Sequence, residues 1–242
     1  MRLKCWLSYK GSNYFGYQIQ KNDDEKSIQK EIQDVLKKIF SVDIKIFSSG
    51  RTDKGVHAIN QCFHFDVDKE DIDVDKLRHS LNCLTSEDIY IKSLEIVDEN
   101  FHARFNVKNK TYRYIINVGE YNPLVNDLVY NLNQKLDIEK MKEASKLFLG
   151  EHSFHNFCTN EEDFVRKIYS IDFNIENDYL IIDLCGNGFR RYMVRMIVAT
   201  LIQVGLGKLL IDEIKKLLTI ECHTRVSYKA PSCGLYLYNI VY

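Results

Sequence analysis

Ser48-Ser49-Gly50-Arg51-Thr52-Asp53-Lys54-Gly55-Val56-His57-Ala58 is the stretch from which the rest of the chain is read. It lies between residues 44–47 and 61–65, two runs with the β-branched and aromatic composition of strands. Gly50 and Gly55 enclose an Arg, a Thr, an Asp and a Lys. Glycine adopts backbone angles other residues avoid and lets a ligand approach the main chain. An Asp in such a loop is presented to a cleft at a fixed angle, and Arg51 two residues away favours its ionised form. The same residues also describe a tight turn carrying a solvated ion pair.

Outward from this loop, hydrophobic periodicity sets the elements. Residues 2–9 alternate, with Leu3, Cys5, Leu7 and Tyr9 on one side, as a half-buried strand does. Ser27 is a natural N-cap for a helix to about Phe40, with Ile28, Ile32, Val35, Leu36 and Ile39 in one stripe. Strands are expected at 42–47, 61–66, 88–97 and 101–107, and a short helix at 75–83. Beyond residue 108 the pattern predicts a strand at 111–117 and an Asp137-capped helix over 138–149. Strands at 166–176 and 179–185 come next, then helices at 191–204 and 211–218 and a last strand at 234–242. The chain divides near 108–110 into halves 1–108 and 109–242, each a sheet with helices behind it, an α+β arrangement.

The chain has 242 residues, 45% hydrophobic and 28% charged, with no apolar run long enough to span a bilayer. Its N-terminus lacks the apolar core of a signal peptide, so a cytoplasmic protein is expected. Seven scattered cysteines without a C-x-x-C pair read as ordinary thiols. His152-x-x-His155-x-x-Cys158 would converge on a metal only if helical, and it has no fourth ligand at a usual spacing, so no metal is expected. The net charge of −1 hides a segregated pattern. Residues 102–114 carry Arg104, Lys108, Lys110 and Arg113 without an acid, and 186–208 carry Arg190, Arg191, Arg195 and Lys208 likewise. Six carboxylates crowd between Asp66 and Asp75. Such segregation allows a basic cleft in a neutral protein, although each run taken singly also describes a solvated face.

The run GRTDKGVHA resembles the signature of the TruA family of tRNA pseudouridine synthases. Further family-like blocks follow in order: residues 8–18 (SYKGSNYFGYQ), 101–105 (FHARF), 110–116 (KTYRYII), 189–198 (FRRYMVRMIV) and 230–237 (APSCGLYL). The resemblance implies two related halves with mostly antiparallel sheets joined across a central cleft, helices behind, and a homodimer. It implies isomerisation of uridine to pseudouridine at positions 38–40 of the tRNA anticodon arm, without cofactor or metal. By the same resemblance Asp53 is catalytic, Arg195 reaches Asp53, Tyr112 stacks on the target base, and Leu235 packs beneath it. Arg51, beside Asp53, is suited to fill the space of an extruded base or to clamp phosphate.

Read by pattern alone, Tyr112 and Tyr114 face the same side of a strand and cannot be told apart, and Leu235 is plain core. Arg195 sits among Met193, Val194, Met196 and Ile197, where a partly buried cation needs a carboxylate. Three residues depart from the family pattern: Lys10 where Asp is usual, Tyr17 where Trp or Phe is usual, and Thr85 where Pro is common. Two competing readings are a non-catalytic RNA-binding module of the same fold and a small-molecule enzyme with an unrelated carboxylate site. The combination of Asp53, Tyr112 and Arg195 argues against the first, and the paired basic runs against the second.

Overall fold

A computed structural model describes residues 1–20, 22, 25–69, 71–159, 162–219 and 225–242. Glu70 of the acidic run and Cys222 lie outside the described residues. The elements are β1 (Arg2–Tyr9), α1 (Ile28–Phe40), β2 (Ile46–Ser48), β3 (His57–Asp66), α2 (Val74–Leu84), β4 (Ile89–Val97), β5 (Asn109–Asn117) and β6 (Tyr130–Asn131). There follow α3 (Ile138–Ser145), β7 (Gly150–Ser153), β8 (Val165–Glu176), β9 (Tyr179–Gly186), α4 (Met193–Gly205), α5 (Ile211–Leu217) and β10 (Leu235–Val241). They form two compact units, Met1–Lys108 with Tyr236–Tyr242, and Asn109–Leu235.

In the first unit the strand order is β4-β1-β3-β10, with β2 on β3. All pairs are antiparallel except β10, which runs parallel to β3 through Tyr236↔His57 and Leu237↔Ala58. This pairing takes the last strand out of the 109–242 half where the sequence pattern had put it. Leu3, Cys5, Leu7 and Tyr9 of β1 are buried, as their alternation requires. Helix α1 begins as expected. Ser27 accepts a hydrogen bond from Lys30 N–H (3.2 Å), and Ile28, Ile32, Val35 and Leu36 are buried. Each such aliphatic side chain contributes about 1.5–3 kcal/mol of burial. Helix α2 starts after Asp73, whose carboxylate accepts from Lys76 N–H (2.9 Å), and Asp66 pairs with Arg2 (2.8 Å). Part of the acidic run therefore has structural partners.

Two expected strands differ. Only Ile46–Ser48 of 42–47 is strand, because Ser41 closes α1 in the left-handed region (φ 61°) and Val42 is exposed. Residues 101–107 form a turn instead of a strand. His102 Nδ1 accepts from Arg104 and Phe105 N–H, and Asn106 Oδ1 accepts from His102 N–H, so side chains capture the donors a ladder would use.

The second unit has the antiparallel order β5-β9-β8-β7, with β6 parallel to β5. Helix α4 is buried along nearly its whole length and packs on α3, where a Cβ on Gly205 would meet Met141 Sδ at 2.7 Å. The 138–149 helix ends as α at Ser145 and continues as a 3-10 turn, Lys146–Phe148. The segment His152 to Cys158 is strand and 3-10 turn, with His152 Nε2 2.8 Å from Leu149 O and Cys158 buried. Among the described residues no three His, Cys, Asp or Glu side chains are placed to hold a metal ion.

Candidate active site

In the first unit, the loop from Ser49 to Val56 connects β2 to β3, and almost every residue of it is tied down. Ser49 N–H donates to Cys62 O (2.8 Å) and its hydroxyl to Gln61 Oε1, while Gln61 Nε2 donates to Gly50 O (3.0 Å). Thr52 Oγ1 lies 2.8 Å from the Tyr9 hydroxyl, and Thr52 O accepts from Tyr17 N–H (3.1 Å). Val56 N–H closes a turn on Asp53 O (3.1 Å). Asp53 is half-buried, and Arg51 and Lys54 on either side are exposed.

The 8–18 block is the brace behind this loop. Gly16 has φ +105°, and a Cβ there would lie 2.7 Å from Thr52 O and 3.3 Å from Asp53 C and Lys54 N. A Cβ on Gly11 would overlap Val56 O, and Gly11 N–H donates to His57 Nδ1 (3.0 Å). Backbone thus packs directly on backbone, which only glycine permits. Lys54 Nζ sits 3.7 Å from the centroid of the Phe15 ring. The brace in turn hangs on α1: Ile28 N–H donates to Gly16 O (3.3 Å) and Gln29 N–H to Tyr17 O (2.9 Å). These are first-turn donors without intrahelical partners, satisfied here by the brace.

Of the three departures from the family pattern, two are accommodated locally. Lys10 N–H donates to Asp88 O (2.9 Å), and Thr85 closes α2 by directing both N–H and Oγ1 to Leu81 O (2.9 Å each). Tyr17 is different. Its ring is fully buried, 6.2 Å from that of Tyr9, and its hydroxyl makes no hydrogen bond of ordinary geometry among the described residues, the Ser48 side chain being the polar group beside it. Burial pushes the pKa of that hydroxyl well above its ordinary value.

In the second unit, Tyr112 and Tyr114 share a face of β5 and are both buried. Their surroundings separate them. Tyr114 donates its hydroxyl to Pro231 O (2.7 Å) and packs on Gly234, whose Cβ would lie 2.8 Å from Tyr114 Cζ. Tyr112 meets the edge of Phe189, with centroids 5.2 Å apart and planes at 82°. Arg195, half-buried on α4, donates from Nε to Ala230 O (2.7 Å), while Ala230 N–H donates back to Arg195 O (3.1 Å). The 230–235 segment therefore hooks onto α4 through Ala230 and onto β5 through Pro231 and Gly234, and ends in the buried Leu235.

The structure thus sets Arg51 and Asp53 on one loop of the first unit; in the second it joins Arg195 to the 230–235 hook that ends in Leu235, and sets Tyr112 against Phe189, two residues along β5 from Tyr114. Tyr192 and Phe189 belong to the 189–198 block, in which no periodicity distinguishes them from core aromatics. Tyr192 precedes α4 in the left-handed region (φ 65°), with Lys229, Arg191 and Arg195 at 4.3, 4.8 and 5.4 Å from its ring centroid. The basic runs are less bare in space than in sequence. Arg113 makes a two-pronged pair with Asp183 (2.8 and 2.7 Å) across β5 and β9, and Arg190 pairs with Asp163.

The family model described as tRNA pseudouridine synthase matches residues 7–106 and 144–242. Curated relatives named tRNA pseudouridine synthase A align along essentially their whole length. That of Mycoplasma genitalium is 42% identical over 98% of this chain and 96% of its own. That of Listeria monocytogenes serotype 4a is 41% identical over 100% and 99%. For Bacillus subtilis the identity is 38% over 100% and 99%. On this agreement the chain belongs to the tRNA pseudouridine synthase family.

Proposed function

We propose that this protein isomerises uridine to pseudouridine in tRNA, with Asp53 as its catalytic carboxylate. In that reaction the N1–C1′ bond breaks, the base turns over, and a C5–C1′ bond forms. The C5 proton leaves and N1 ends protonated, so atoms and electrons balance within the substrate. The site must supply an ionised carboxylate, a flat surface for the base, and a group to receive the C5 proton. Asp53 serves as the first, acting as nucleophile or base. Tyr112 offers the stacking face, worth roughly 1–3 kcal/mol per base, and its hydroxyl is a candidate for the C5 proton. By the family resemblance Arg195 is the counter-ion to Asp53, an opposite charge that favours the ionised carboxylate. Arg51 fills the space of the extruded base or clamps phosphate, and Leu235 packs beneath the flipped base.

The observation that carries this reading is the Asp53 loop itself. A half-buried carboxylate stands on backbone fixed by Gly16 and Thr52, within a chain whose family is named for the reaction. Fixed placement of a reacting group is where much catalytic advantage arises. The same family resemblance supports the anticodon arm, positions 38–40, as the target, a homodimer as the working form, and a cytoplasmic location. Among the described residues no helix is long and apolar enough to cross a membrane. Incubating the protein with an unmodified tRNA transcript bearing uridines in the anticodon arm, then mapping pseudouridine, tests the reading. New pseudouridine at those positions supports it; binding without conversion would assign the chain a non-catalytic RNA-binding role.

A further inference from the structure

The turn that replaces the expected 101–107 strand holds a ring cluster that the proposed reaction does not use. His64 Nδ1 accepts from Ala103 N–H (3.1 Å), and His102 Nδ1 accepts from Arg104 (3.1 Å) and Phe105 (3.3 Å) N–H. A nitrogen that accepts from backbone N–H carries no proton, so both rings are neutral and fixed in orientation. Phe47 stacks on His64 at 5.1 Å and 19°, Phe105 lies against His102 at 4.2 Å and 31°, and the two histidines meet at 4.7 Å. The four rings form one preorganised body, yet Phe105 is 74% and Phe47 45% exposed. Phe101 of the same turn, by contrast, packs edge-on against Tyr242 (5.1 Å).

Two exposed cations lie beside the cluster. Arg104 is exposed, with its guanidinium 5.8 Å from the Phe105 ring, and Lys108 is exposed close by in the chain. Arg2 and Arg104 are the charges that, after burial, lower the pKa of His102. Of the nearby acids, Asp66 is held two-pronged by Arg2 (2.8 Å each), Asp98 accepts from the backbone and side chain of Asn100 (2.8 and 2.7 Å), and Glu99 is exposed.

We propose that Phe105 and Phe47, flanked by Arg104, form a stacking platform for an unpaired nucleobase of the RNA substrate, separate from the Asp53 loop. The inference rests on the tRNA reading above. Flat aromatic faces accept any base, and a guanidinium beside them suits the adjoining phosphate. A polyanion that carries flat bases matches exposed rings with Arg104 and Lys108 alongside. Along β3, His64 lies seven residues from His57, where the Asp53 loop ends. At about 3.3 Å per residue that is roughly 20 Å. Phe47, paired with His64, stands two residues before the loop begins at Ser49 and six before Asp53, so the platform takes a base near the reacting nucleotide and distinct from it.

The test uses the full chain and an unmodified tRNA transcript. Phe105→Ala is expected to weaken binding about ten-fold, the range of one lost base stack, with kcat at saturating tRNA unchanged. The slope of log Kd against log salt stays as in wild type for Phe105→Ala, whereas Arg104→Ala lowers it by about one. Phe105→Tyr, which keeps the flat face, restores wild-type affinity. Leu124→Ala, at an 86% exposed apolar residue of the other unit, leaves affinity unchanged. Affinity of Phe105→Ala within about two-fold of wild type overturns the platform, as does a changed oligomeric state with unaltered RNA affinity, which would assign the rings to a second copy. A wild type that binds tRNA but forms no pseudouridine overturns the activity reading alone and leaves the platform standing.

Discussion

Gly16→Ala should damage the enzyme out of proportion to its size, because the methyl group would enter the backbone that holds Asp53. At φ +105° an L side chain is strained by about 1–2 kcal/mol. The new Cβ would also lie 2.7 Å from Thr52 O, a backbone atom that cannot swing aside like the end of a side chain. Relieving that contact moves the loop by some tenths of an ångström and costs about 1–2 kcal/mol more. The lower entropy of the unfolded alanine chain returns about 0.4–1 kcal/mol. A net loss of roughly 2–3 kcal/mol corresponds to a melting midpoint about 5–10 °C lower. Since a misplacement of about 1 Å at a reacting group costs about 100-fold in rate, kcat should fall ten-fold or more, roughly, even where the variant is fully folded. Gly207→Ala separates strain from displacement: its φ is +68°, but a Cβ there meets nothing within 4 Å. That variant should lose stability and keep its turnover. Differential scanning calorimetry with single-turnover pseudouridine formation reads both quantities. Wild-type kcat in folded Gly16→Ala would refute the claim that this glycine positions the Asp53 loop.

Tyr17→Phe removes a buried hydroxyl that makes no hydrogen bond of ordinary geometry among the described residues, so it should stabilise the protein by about 1 kcal/mol, raise the midpoint about 2–4 °C and leave turnover unchanged. A lower midpoint would show that the hydroxyl is bonded after all. His64 is fully buried, and its pKa is lowered to about 4, first by burial and then by Arg2 and His102. The unfolded chain takes up a proton near pH 6.5 that the native state refuses until about pH 4, so stability falls as pH drops through that window. Urea unfolding at pH 7.5, 5.5 and 4.5 should show a loss of about 1–3 kcal/mol, growing as pH falls, that is smaller in His64→Asn, which keeps an acceptor for Ala103 N–H. Equal losses in the two proteins would remove His64 from the titration.

Local signals in the sequence were reliable where the structure uses local interactions. Ser27 and the stripe of Ile28, Ile32, Val35 and Leu36 specify α1 because capping and a single buried face are decided within the helix. The alternation Phe101, Ala103, Phe105 imitates a strand, but His102 and Asn106 capture backbone donors at short range, a competition that periodicity does not register. Placement of β10 was invisible for the opposite reason. Its parallel pairing with β3 joins residues far apart in the chain, and no local pattern encodes it. The acid-free run at 102–114 misled in part, since Asp183 arrives beside Arg113 from the neighbouring strand. Within the candidate site, Asp53 is singled out by its motif and not by any local pattern. The physical role of Gly11 and Gly16 as the wall behind it emerged only from the close approach of two backbones.

Comparison of wild type with Asp53→Asn on an unmodified tRNA transcript tests the central claim most directly. The carboxylate is assigned to chemistry, and it repels phosphate rather than binding it, so its loss should spare affinity. The wild type should convert anticodon-arm uridines to pseudouridine. The variant should form none above background while binding tRNA within a few-fold of wild type and melting at the same temperature. Pseudouridine formation by folded Asp53→Asn at a rate above background would contradict the assignment.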